Sequence, residues 1–121
     1  MPQIRVLLAE DERVLGRATE ALLQDLGCAV TWCRDGREAL DAFERDSSAF
    51  DLLVLDHSMP GMLGSEVAAR ALSVRPRLPI ISTSGFSEDV EATAVCNRVF
   101  LQKPFDLDQL TTAVRQALGH A

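Results

Sequence analysis

Five short apolar runs separated by helix-like stretches constrain this chain more than any other feature. The clearest is Asp51-Leu52-Leu53-Val54-Leu55-Asp56, four branched aliphatics held between two aspartates. A run without polar alternation offers no face to water, so it suits a strand covered on both sides, as in a parallel sheet. Ile4 to Ala9 has the same character, and shorter runs at residues 29–33, 78–83 and 99–101 complete the set. Between the runs, apolar residues recur at helical spacing. Residues 13–26 carry Val14, Ala18 and Leu22 on one stripe with Leu15 and Leu26 beside it, and Gly27 is placed to end that helix. Ala39, Leu40 and Phe43 mark a second helix. Val67, Ala68, Ala71 and Leu72 mark a third within residues 65–74. Residues 88–95 form a weak fourth, and Leu107, Leu110, Val114, Ala117 and Leu118 a fifth, closed by Gly119.

Strictly alternating strands and helices imply an α/β fold with helices on both faces of one parallel sheet. Right-handed crossovers leave few topologies, and five strands take the doubly wound order 2-1-3-4-5, a flavodoxin-like three-layer sandwich. The 121 residues fit a single domain running the length of the chain, 1–121. No output module follows Leu118, so the chain reads as a single-domain protein or a piece of a longer one.

The net charge of −6 repels phosphate backbones and anionic lipid, which argues against nucleic acid or membrane as partners of this domain. No apolar run reaches the roughly 20 residues that a membrane span needs, and nothing marks a secretory signal, so the cytoplasm is the expected location. The three cysteines lack zinc-ligand spacing. Cys28 and Cys33 stand on one predicted strand and point to opposite faces, which favours buried free thiols over a disulfide between them.

In a doubly wound sheet, ligands bind outside the carboxyl ends of the strands at the switch point, here strands 1 and 3. Strand 1 ends at Glu10 and Asp11, strand 3 at Asp56, strand 4 at Ser84, and strand 5 runs into Lys103. Each residue has an ordinary reading. Asp11 suits a helix cap, Glu10 and Glu12 suit the first-turn dipole, Asp56 and Ser84 suit turns, and Lys103 suits solvent. Their convergence on one rim is what the ordinary readings leave unexplained.

Clustered acids repel one another unless a hard cation lies between them, and Mg²⁺ is bound by one or two carboxylates plus phosphate and water oxygens. Asp11 and Asp56 are the direct ligands in this reading, with Glu10 acting through a water and Ser58 offering its backbone carbonyl. One Asp56 oxygen remains to attack phosphorus and form an aspartyl phosphate. Such transfer needs mainly positioning and charge neutralisation, which Lys103 supplies together with the cation, while Ser84 donates to a phosphoryl oxygen. An aspartyl-nucleophile phosphatase would want a second acid two residues past Asp56, where Ser58 stands. A nucleotide or flavin binder would want a glycine-rich phosphate loop after strand 1, and the chain has none there.

The stretches LLAEDE (7–12), DLLVLDHSMPGMLG (51–64), LPIISTSG (78–85) and FLQKPF (100–105) resemble the receiver domains of two-component response regulators, and the resemblance covers essentially the whole chain. TSGF and FLQKPF are most similar to receivers attached to hybrid sensor histidine kinases. The resemblance implies that Asp56 is the phosphoacceptor, Glu10 and Asp11 the acidic pair, Ser84 the switch hydroxyl and Lys103 the lysine of the site. It also implies a cis Lys103-Pro104 bond, a phosphohistidine donor on a histidine kinase or phosphotransfer domain, and Mg²⁺ as cofactor. Phe100 takes the place of the aromatic that rotates on activation. Ser58 and Phe86 flank the site and tune the lifetime of the acyl phosphate. Serine replaces the commoner threonine at Ser84, and the stretch from Ser84 to Lys103 is shorter than usual, which puts in doubt the output face built from the last two helices and last strand. A homodimer is left open. The alternative is a degenerate receiver that binds partners without phosphorylation, against which the retention of Glu10, Asp11, Asp56, Ser84 and Lys103 speaks.

Overall fold

A computed structural model describes residues 3–85 and 98–119. Among the described residues the chain forms β1 (Ile4–Ala9), α1 (Arg13–Asp25), β2 (Cys28–Cys33), α2 (Gly36–Arg45), β3 (Leu52–Asp56), α3 (Gly64–Val74), β4 (Ile80–Ser84), β5 (Arg98–Gln102) and α4 (Leu107–Ala117). The strands make one sheet in the order β2-β1-β3-β4-β5, every pair parallel, as the alternation predicts. The weak helix expected at residues 88–95 lies outside the described residues, as does Phe86.

The sheet divides the core in two because successive strand residues point to opposite faces. Leu7 and Ala9, Leu53 and Leu55, and Ile80 meet Ala39 and Phe43 of α2 and Val67, Ala68 and Ala71 of α3. Val6 and Leu8, Leu52 and Val54, and Ile81 meet Leu23 of α1 and Leu110, Ala113 and Val114 of α4. Every residue of β3 is buried, which is why its sequence shows no alternation. Cys33 belongs to the first layer and Cys28 to the second, both as buried free thiols.

Helix ends follow local chemistry. Asp35 caps α2 by accepting from the Glu38 amide at 2.7 Å. Asp106 and Gln109 form a reciprocal capping box at the start of α4. Gly27, at φ +90°, ends α1 in the left-handed conformation that a side chain would strain.

Three expected core positions are corrected. Val14, placed on the α1 stripe by its spacing, is 80% exposed, and Ala18 is exposed too. The face of α1 that meets the sheet carries Gly16, Thr19 and Leu23, and Val14 lies roughly 200° around the helix from Gly16. Thr19 can be buried there because its hydroxyl donates to the Leu15 carbonyl at 2.8 Å. Leu107, at the first turn of α4, is 41% exposed and stands clear of the layer that Leu110 and Val114 complete.

Candidate functional site

The parallel register brings the carboxyl ends of β1, β3, β4 and β5 to one edge. Asp56 is the last residue of β3, paired with Thr83, and its side chain is almost wholly buried. Glu10 follows β1 directly and is equally buried, whereas Asp11 is exposed. Carboxylate oxygens of Glu10, Asp11 and Asp56 all lie within 4.8 Å of one another. Lys103, just past β5, closes the group, with its Nζ 2.9 Å from Glu10 Oε1 and 3.1 Å from Asp56 Oδ1. The Lys103-Pro104 bond is cis, as the resemblance implies. These side chains, with Ser58 on the loop after β3 and Gly85, wall a recess of about 410 Å³.

Asp11 does not cap α1. Glu12 occupies the N-cap position, without a side-chain cap bond, which leaves the Asp11 carboxylate directed to the recess. Ser84 ends β4 and is buried, and its carbonyl accepts from the Lys103 amide at 2.8 Å. The hydroxyl-bearing residue and the lysine are therefore joined through the backbone. Phe100 is half-buried on β5, in register with Ser82, and lines a different recess with Asp108, Gln109 and Thr112 of α4.

The electrostatics of the rim follow from burial and crowding. Burial, then the Glu10 carboxylate, push the Asp56 carboxyl up to about 7, against the opposing pull of Lys103. Burial works against the Lys103 charge too, but its contacts with Glu10 and Asp56 outweigh it and hold the ammonium above its ordinary value. One lysine thus fails to offset the acids gathered here. An all-oxygen donor set with surplus negative charge suits a hard divalent cation, which would hold Asp56 ionised.

Spacing alone missed Gly64 and Trp32. A Cβ on Gly64 would run into the Asp56 backbone carbonyl, and the Gly64 amide donates to the His57 carbonyl at 3.0 Å, so α3 starts hard against the end of β3. Its signal was a glycine opening a helical pattern. Trp32, on β2, donates its indole N–H to the Glu10 carbonyl at 3.0 Å.

A doubly wound sheet whose carboxyl edge gathers acids around a buried aspartate and a lysine is the architecture of a signal receiver. Residues 6–115 match the response regulator receiver domain, and the chain belongs to this family of two-component signalling proteins. A receiver protein from Sinorhizobium medicae superposes with a TM-score of 0.90 at 33% identity, over 97% of this chain and 95% of that one. The receiver domain of the hybrid histidine kinase CckA superposes with a TM-score of 0.81 at 32% identity, over 94% of this chain and 98% of that one. In sequence, the transcription factor SKN7 of Chaetomium thermophilum is 38% identical over 96% of this chain, and the sensor kinase CckA of Brucella abortus 35% identical over 93%. The chain spans only 16% and 12% of the length of those two relatives. Among the described residues no helix is long and apolar enough to cross a membrane.

Proposed function

We propose that this receiver takes a phosphoryl group from a phosphohistidine, on a histidine kinase or a histidine phosphotransfer domain, onto Asp56. An Asp56 carboxylate oxygen forms the new bond to phosphorus as the bond from phosphorus to the imidazole nitrogen breaks, and the leaving imidazole takes up a proton. Asp11, Asp56 and the Ser58 carbonyl would hold Mg²⁺, with Glu10 acting through a water. The bound cation supplies charge neutralisation for the phosphoryl oxygens. Lys103 turns its ammonium from Asp56 toward the arriving phosphoryl group while Glu10 keeps it anchored. Ser84 donates to a phosphoryl oxygen, Phe100 follows, and a pre-existing active conformation gains population, regulating a partner or an attached kinase. Such a donor is cytoplasmic, and the reading places this domain there.

The observation that carries this reading is a buried aspartate sharing one lysine with Glu10 and standing within 4.8 Å of the Glu10 and Asp11 carboxylates. A carboxyl perturbed by burial and by a neighbouring charge, at a recess, marks a candidate functional site. Incubation with acetyl phosphate and MgCl₂ is expected to give an acid-stable, base-labile phosphate on the wild type and none on Asp56→Asn. Equal labelling of the two, or none on the wild type, would refute it.

A further inference from the structure

We infer that Trp32 is a positioning residue for the acidic pair, holding the Glu10–Asp11 backbone so that Asp11 faces Asp56 across the recess; this rests on the Mg²⁺ site proposed above. Trp32 stands on the edge strand β2, in register with Leu8 of β1. Its indole Nε1 donates to the Glu10 carbonyl at 3.0 Å, and the Glu10 amide donates to the Cys33 carbonyl at 3.0 Å. Both backbone groups of Glu10 are thereby tied to β2. The side chain is tied as well, with Oε1 on Lys103 and Oε2 accepting from the Glu12 amide at 3.1 Å. Residues 10 and 12 are thus anchored on either side of Asp11.

The position of the ring is specified from below. Gly16, on the buried face of α1, lies against the indole so closely that a Cβ there would overlap the ring carbons. Glycine is a poor helix former, so Gly16, the fourth residue of α1, asks for a local cause. The seat for the ring is that cause. Filling the gap between α1 and the sheet edge would need only an apolar side chain, whereas tryptophan adds one N–H donor at the end of a rigid body. Partners that orient ligand-bearing segments commonly change metal affinity without touching the metal.

The test compares wild type, Trp32→Phe and Gly16→Ala in the whole chain. Trp32→Phe keeps an aromatic in the seat and removes the donor, and Gly16→Ala keeps the donor and crowds the seat. Mg²⁺ affinity is read from the rise in thermal midpoint across a MgCl₂ titration, and labelling by acetyl phosphate is measured at each concentration. Both variants are expected to bind Mg²⁺ roughly tenfold more weakly, with labelling restored to the wild-type level once Mg²⁺ is saturating. Wild-type affinity in both variants would overturn the inference while leaving the proposed function standing. Labelling that stays low at saturating Mg²⁺ would also overturn it, since that is the mark of general damage to the fold. No Mg²⁺ binding by the wild type would overturn the inference and the proposed function together.

Discussion

At the scale of single residues, the behaviour of the rim turns on Asp56 being buried beside another acid. An aspartate in an unfolded chain titrates near 4, whereas this one is pushed up to about 7. Between those values the folded state retains a proton that the unfolded state has released. Stability from this group is therefore fully present below about pH 4 and is lost as pH rises through about 7. Lys103, held above its ordinary value, keeps its own contribution throughout that window. In the presence of a chelator, Asp56→Asn is expected to lose less stability than wild type between pH 5 and 8, and to be the more stable by roughly 1–3 kcal/mol at pH 8. Urea unfolding at the two pH values measures this, and parallel losses would show that the Asp56 carboxylate is not strained by its surroundings. Adding MgCl₂ is expected to shrink the gap.

Elements were legible to different degrees. The strands were the easiest, because a segment buried on both faces must be apolar at every position, and β3 shows this without ambiguity. The existence of the four described helices was legible too, but the phase of α1 was not. Its buried face carries a glycine and a threonine, residues that no hydrophobic stripe would select, while its first valine faces water. Glycine is there because a ring from another strand occupies the space, and threonine because its hydroxyl is satisfied within the helix. Two substitutions on this helix separate the readings. Val14→Ser is expected to change stability by less than about 0.5 kcal/mol, as exposed positions do. Leu23→Ala is expected to cost roughly 2–5 kcal/mol, because it opens a cavity under the second core layer. Thermal or urea unfolding decides, and a costly Val14→Ser would restore the stripe read from spacing.

For the whole molecule, the two core layers depend on one another through the sheet they share. The last helix, α4, supplies Leu110, Ala113 and Val114 to the layer built on Val6, Leu8, Leu52 and Val54. A chain ending at Pro104 would leave the part of that face not covered by α1 open to water. Loss of a cooperative thermal transition and binding of a hydrophobic dye are the expected results, measured by circular dichroism and fluorescence. A sharp transition in the truncated chain would mean that the α2–α3 layer folds alone.

The sequence by itself determined the class of fold, the strand order and the five residues of the rim. Apolar runs too short for membrane spans and too continuous for half-exposed strands leave a covered parallel sheet, and chain handedness then places every strand end. It also placed Asp56, Glu10, Asp11, Ser84 and Lys103 on one edge, because an edge is a property of topology. Only the tertiary structure decided how those groups divide their contacts. That Lys103 bridges Glu10 and Asp56, that Asp11 faces the recess rather than capping a helix, and that Trp32 ties down the Glu10 backbone depend on distances between segments far apart in the chain. Residue types and spacings carry no record of those distances, since packing between layers sets them.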